Sequence, residues 1–199
     1  MSSLSFLNLE PYFKRYGVRH FVETGSGEGG GISYAIKFPF VSIYSTEILK
    51  DQAEKLNQQF SGDGRVTVVG GSSVTTLDLL LPNLNLKGGT ILFWLDAHYP
   101  GGDLGRNSYD YEQDLDLRLP LEKELETIRR HRLKLGFRDV IICDDLRIYE
   151  RGPFTSKNLD EIGLRHIGKY DSGFLDAWSG THNIIKLYED TGIVIMEPK

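Results

Sequence analysis

The sequence predicts a doubly wound α/β domain, a mostly parallel sheet with helices on both faces and an antiparallel hairpin at its C-terminal end. Three observations predict it. Short apolar segments alternate with stretches of helical periodicity, and a glycine-rich turn follows the first of them. The alternation then breaks near the C-terminus, where two apolar runs flank Asp190-Thr191. Near-continuous apolar strands separated by helices mark a parallel sheet covered on both sides and joined by right-handed crossovers.

In order along the chain, strands are expected at 18–23, 41–47, 65–70, 90–96 and 139–144, each rich in Val, Ile or Phe. Helices are expected at 28–37, 49–60, 73–81 and 119–135. Residues 164–170 read as a further strand, and 183–189 with 192–197 as a hairpin turning at Asp190-Thr191. Residues 99–118 break the rhythm with Gly101, Gly102 and Gly105 and the acids Asp103, Asp110, Glu112, Asp114 and Asp116. A loop of that length after the fourth strand lies where ligands bind in open α/β sheets, so it reads as a substrate-covering segment.

At 199 residues, with 40% hydrophobic and 26% charged residues, the chain suits one well-buried domain. A net charge of −5 gives no basic footprint for nucleic acid. The first ten residues lack a basic segment and a sustained apolar run, so no signal peptide is expected, and no stretch is long enough to span a membrane. A cytoplasmic protein without nucleic-acid or membrane partners follows as the expectation, with self-association left open. The single cysteine, Cys143, lies in an apolar strand and reads as a packed thiol.

The most informative stretch is 18–31. Phe21 and Val22 read as buried strand, Glu23 ends it, and glycines follow at 25, 27, 29, 30 and 31 before Ile32, Ala35 and Ile36 take helical spacing. Glycines there let backbone amides approach a ligand closely, and the helix N-terminus favours an electron-rich group. Gly25, Gly27 and Gly30 fit the dinucleotide pattern GxGxxG. Glu23, Gly25, Gly27 and Gly29 equally fit the acid-x-G-x-G-x-G form that binds S-adenosylmethionine (SAM). Glu47, ending the second strand, stands where either cofactor offers a ribose to a carboxylate. The antiparallel finish of the sheet tips the choice toward SAM.

Asp96 ends the fourth strand, and Asp144-Asp145 end the fifth. In neighbouring parallel strands these acids meet at the edge that carries the glycine loop. Three carboxylates cannot stay close together ionised without a counter-charge, so one takes up a proton or a cation binds, and an all-oxygen set with room for water suits magnesium.

These residues carry a family resemblance. From about residue 18 to residue 146 the chain resembles class I SAM-dependent methyltransferases with a Rossmann-like fold, specifically metal-dependent O-methyltransferases of the catechol and macrolide-sugar kind. Val68-Val69-Gly70-Gly71-Ser72 is similar to the Val-Val-Gly-Ala-Ser that ends the third strand of the catechol enzymes. Trp94-Leu95-Asp96-Ala97-His98 is similar to their Phe-Leu-Asp-His, and Cys143-Asp144-Asp145 to their Ala-Asp-Asn. The resemblance implies a SAM cofactor, magnesium held by Asp96, Asp144 and Asp145, and Ser72 with Ser73 on the adenine side. It departs at Tyr99, where the catechol enzymes carry a lysine base. His98 is the obvious replacement, with an orienting role as the alternative, and Tyr99 could line the acceptor site. A further resemblance, to methyltransferase-like proteins of polysaccharide gene neighbourhoods, makes a sugar acceptor plausible.

The expected activity is SAM-dependent, magnesium-assisted O-methylation of a small molecule or sugar. Glu23, Gly25, Gly27, Gly29, Glu47, Ser72, Ser73 and Asp96 are expected at the cofactor, and His98 and Asp96 at the chemistry. An NAD-dependent oxidoreductase is the alternative, lowered by the lack of a Tyr-x-x-x-Lys pair, and a non-catalytic nucleotide-binding protein is another. Arg147 and Tyr149 read as rim or packing residues, Trp178 and His182 as core or hairpin support, and 129–132 as a solvated helix end.

Overall fold

A computed structural model describes residues 4–199. The elements run α1 (Glu10–Tyr16), β1 (Val18–Thr24), α2 (Gly30–Ala35), β2 (Ser42–Glu47), α3 (Lys50–Gln59), β3 (Val66–Gly70) and α4 (Ser73–Lys87). They continue with β4 (Thr90–Leu95), α5 (Leu115–Arg118), α6 (Leu121–His131), β5 (Val140–Cys143), β6 (His182–Leu187) and β7 (Ile193–Pro198). The strands form one sheet in the order β3-β2-β1-β4-β5-β7-β6. Strands β1 to β5 are parallel, while β7 runs antiparallel to β5 and β6 antiparallel to β7.

Both faces of the central strands β1, β4 and β5 are buried, which is why they read as continuous apolar runs instead of alternating ones. Along β4, Ile91, Phe93 and Leu95 pack with Leu77, Leu81, Leu125 and Ile128 of α4 and α6. Leu92 and Trp94 point the other way and pack with Ile32 of α2 and Leu56 of α3. Strand order reverses between β1 and β4, so the crevice at their carboxyl ends is the switch point where such sheets bind ligands. Cys143 is buried among β5 neighbours, as its apolar setting predicts.

Three local expectations are corrected. Residues 164–170 are not a strand; they hold a short 3-10 turn, Arg165–Ile167, between Gly163 at φ +78° and Tyr170 at φ +50°. The amides of Lys169 and Tyr170 bond to the Ile148 carbonyl instead of to a strand. The helix expected to stop at 81 continues through Pro82 to Lys87. The run 129–132 is not wholly solvated, because Arg132 is buried at 1% exposure. Its guanidinium grips Asp139 through Nε (2.8 Å) and Nη2 (2.7 Å), leaving only the preceding residues to the helix end. The other site-bearing elements agree with their expected bounds to within a few residues. Trp178 and His182 are buried and pack ring against ring, with His182 Nε2 3.0 Å from the Asp139 carbonyl, in the supporting role expected of them.

Candidate active site

A cavity of about 400 Å³ opens at the carboxyl ends of β1, β2, β4 and β5. One half is built by the turn after β1. Gly25, Gly27 and Gly29 adopt left-handed φ values of 77°, 52° and 84°. A β-carbon on Gly25 would lie 2.6 Å from the Asp96 carbonyl oxygen, so only glycine lets this turn press against the end of β4. A β-carbon on Gly31 would lie 1.8 Å from Glu23 Oε1, so that glycine admits the Glu23 carboxyl beneath α2.

Glu23 is buried and accepts from Ser45 Oγ, whose oxygen also meets Ser26 Oγ at 2.6 Å. Burial pushes its carboxyl up to about 8, against the Ser45 hydrogen bond and with the aid of nearby Glu47. Glu47 turns its two oxygens to the Gly27 and Leu49 amides, each at 3.0 Å. Burial raises its pKa, while those amides restrain the rise. Gln52 Nε2 donates to the Gly27 carbonyl at 2.6 Å, bracing the turn from α3. Ser72 caps α4 by accepting from the Thr75 amide at 3.3 Å, and Ser73 beside it is buried; both line the cavity.

The other half gathers acids around one ring. His98 Nε2 stands 3.0 Å from Asp145 Oδ2 and 3.1 Å from Asp103 Oδ2, and Nδ1 lies 3.6 Å from Asp96 Oδ1. Asp145 takes a left-handed φ of 52° and Tyr99 one of 45°, conformations that cost a non-glycine residue energy and re-aim the chain at the strand ends. Burial opposes charge on His98, yet its hydrogen bonds to Asp103 and Asp145, and the charges of Asp145 and Asp96, raise its pKa well above the usual value. Burial likewise pushes Asp145 up, but His98 and Arg147 outweigh it and hold the carboxyl below its usual range. Asp96 goes the other way: burial and the neighbouring Asp144 charge raise it well above the ordinary carboxylate value.

Asp96, Asp144, Asp145 and His98 thus line one cavity together with the glycine loop, Glu47 and Ser72-Ser73. The acids do not arrange themselves as magnesium ligands. Among the described residues no group of three or more His, Cys, Asp or Glu side chains converges as a metal site. The carboxylates of Asp103 and Asp145 are instead directed at the His98 ring, so the residues present do not fit the ion.

Tyr99 lines the cavity but spends its hydroxyl on the Ile167 carbonyl at 3.0 Å. Arg147 Nε lies 3.4 Å from Asp145 Oδ1, and Tyr149 is buried against Phe174, so both stand behind the cavity wall. The segment 99–118 lines the cavity with residues from its two ends, within Tyr99 to Leu104 and at Asp116-Leu117. It carries α5 at its end and reaches α3 through Arg106 Nη1 on Asp51 Oδ2 (2.7 Å) and Nη2 on Gln52 Oε1 (3.3 Å). Sequence reasoning missed Ser45, Gln52, the special need for glycine at 31, and Glu124. The last is buried on α6, and burial pushes it up to about 7 against the hydroxyls of Ser73 and Thr24. No local pattern announces these residues, because each acts across a gap in sequence.

No family model matches the chain, and no curated protein matches its sequence. Solved structures match its fold. A caffeoyl-CoA O-methyltransferase-like protein from Staphylococcus aureus superposes with a TM-score of 0.62 at 12% identity, over 100% of this chain and 85% of that one. The methyltransferase domain of bacterial CtHen1 gives 0.52 at 10% identity, covering 94% of each chain. MtNAS in complex with MTA and tNA gives 0.52 at 16% identity, over 98% of this chain and 60% of that one. The chain therefore shares the fold of these solved structures, a mostly parallel sheet finished by antiparallel strands. No helix among the described residues is long and apolar enough to cross a membrane.

Proposed function

We propose that this chain is a SAM-dependent methyltransferase that acts on a hydroxyl oxygen of a small molecule or sugar. The observation that carries this reading is a single cavity joining a glycine turn and ribose-side acid to a buried set of groups able to move a proton. The fold likeness to an O-methyltransferase-like protein and to MtNAS in complex with MTA supports it. The net charge of −5, which gives no basic footprint for nucleic acid, supports an enzyme of small molecules.

In this reading the Gly25, Gly27 and Gly29 turn receives the cofactor, with Glu23 bracing it from below. Glu47 uses lone pairs left over from its two amide contacts for the ribose hydroxyls, and Ser72 and Ser73 meet the adenine side. The acceptor hydroxyl enters beside Asp96 and His98. Its proton passes to Asp96 in its ionised form; the raised pKa makes that carboxylate a stronger base than an exposed aspartate, while leaving a smaller share of the side chain ionised. The oxygen then bonds to the sulfonium methyl carbon as the carbon–sulfur bond breaks toward sulfur, leaving a methyl ether and S-adenosylhomocysteine. Holding oxygen and methyl in line supplies on the order of 7–11 kcal/mol. His98 was the expected base; already charged between Asp145 and Asp103, it has no free lone pair and serves better as a cation facing the developing oxyanion.

Calorimetry with SAM and S-adenosylhomocysteine against NADH tests the reading. Micromolar binding of the adenosyl compounds is expected, weakened about tenfold by Glu47→Ala, the loss of one to two hydrogen bonds. Tight NADH binding without a response to S-adenosylhomocysteine would overturn it in favour of an oxidoreductase.

A further inference from the structure

Carboxylates crowded at the ends of parallel strands need a positive charge among them, and this fold holds one of its own. Three segments supply acids to a single ring: Asp96 from the end of β4, Asp103 from the loop 99–118 and Asp145 from the turn after β5. Their oxygens stand 3.6, 3.1 and 3.0 Å from the nitrogens of His98, whose side chain is 7% exposed. An imidazolium offers two N–H donors at opposite corners of the ring, and the acids are disposed about those corners. Among the described residues no three such side chains gather as ligands of one ion.

We propose that the His98 imidazolium is a resident cation that stands in for a divalent metal, so that this site offsets part of the charge of its acids without magnesium. Magnesium requires near-octahedral oxygen ligation at about 2.0–2.1 Å. An ion at that distance from Asp145 Oδ2 and Asp103 Oδ2 would meet the Nε2 proton of His98, and the two positive charges would compete for the same oxygens. The ring is carried by the chain and buried, so it holds the position without any binding equilibrium. A fixed cation also needs no reorganisation as negative charge grows on a nearby oxygen, which is the service a metal renders in such a cavity. Only this catalytic consequence rests on the methyltransferase reading; the identity of the cation does not.

The test is thermal unfolding of the cofactor-free protein in magnesium or manganese chloride, against sodium chloride of equal ionic strength. The parent midpoint is expected to be unchanged by either divalent ion. His98→Ala removes the cation shared by Asp96, Asp103 and Asp145, leaving only Arg147 beside Asp145, and its midpoint is expected to rise by several degrees with the same ions. His98→Lys returns a positive charge and is expected to lose most of that response. Should the alanine variant not fold, manganese broadening of the Asp96 and Asp145 amide signals in the parent decides the matter, and its absence is expected. The proposal is overturned by a parent midpoint that rises with magnesium, by manganese broadening in the parent, or by a folded alanine variant that ignores both ions. None of these measurements contains SAM, so a failure to bind S-adenosylhomocysteine counts against the methyltransferase reading alone.

Discussion

Strands β4 and β5 carry a charged cluster at each end, and the two are built differently. At the amino ends, Arg132 meets Asp139 through two bonds, Asn85 Oδ1 at 2.8 Å and the Gly89 carbonyl at 2.8 Å. Asp139 Oδ1 also takes the Ile91 amide at 2.8 Å, so donors and acceptors are matched and the strand starts are locked in register. At the carboxyl ends, His98 serves three acids, Asp145 and Tyr99 sit in costly backbone conformations, and Asp96 is pushed toward holding a proton. A matched cluster only stabilises. An under-compensated one leaves charge in reserve for a ligand, and strain tends to gather at such places.

The comparison breaks first at Arg132. Arg132→Ala leaves Asp139 buried without its main partner and is expected to cost about 3–5 kcal/mol in urea unfolding. A loss under about 1 kcal/mol would mean that the two clusters do not differ in kind.

Glu23 sharpens the other end through pH. An acid whose folded pKa is raised binds more protons folded than unfolded, so it drains stability as pH climbs from about 4.3, the unfolded value, to about 8. Glu23→Gln keeps an acceptor for Ser45 and removes that drain. The variant is expected to match the parent near pH 4 and to exceed it by about 1–3 kcal/mol at pH 8. Equal pH dependence of the two proteins by thermal unfolding would show that Glu23 carries no such burden.

Asp145→Asn tests under-compensation directly. Removing one carboxylate relieves Asp96 while Asp103 still holds His98, so unfolding is expected to change by less than about 1 kcal/mol. A loss as large as that at Arg132 would make the carboxyl-end cluster a structural ion pair. The smallest effect belongs to Arg106, whose side chain is 41% exposed where it meets Asp51. Arg106→Ala is expected to cost about 0.2–1 kcal/mol, read as a weakening of S-adenosylhomocysteine binding of less than about tenfold.

Most of the sheet was legible in the sequence because burial on both faces leaves an unbroken apolar signature, as in residues 90–95 and 140–143. The hairpin was legible from Asp190-Thr191, whose turn brings Asp190 to φ +51° and Gly192 to φ +83°. Residues 164–170 misled because their apolar pattern serves packing under a loop: Ile167 is buried without joining the sheet. Arg132 misled because a charge run on a helix end says nothing of Asp139, which meets it from the next strand's approach. At the candidate site the types and positions of the acids were legible, since strand ends are visible in sequence. What they face was not. Whether Asp145 points at a metal or at His98 depends on a left-handed residue and on Asp103 arriving from the loop 99–118, and neither leaves a local trace.

The placing of β7 between β5 and β6 has a consequence for how the molecule comes into being. Met196 pairs with Ile141, and the amides of Leu146 and Arg147, just past the acid pair, bond to the carbonyls of Gly192 and Thr191. Until residues 191–198 have emerged during synthesis, β5 presents an unpaired edge and the Asp144-Asp145 turn has nothing to rest on. The cavity is therefore finished from behind, by a strand that lines none of it, and the nascent chain passes through an interval in which an aggregation-prone edge and an unformed site coincide.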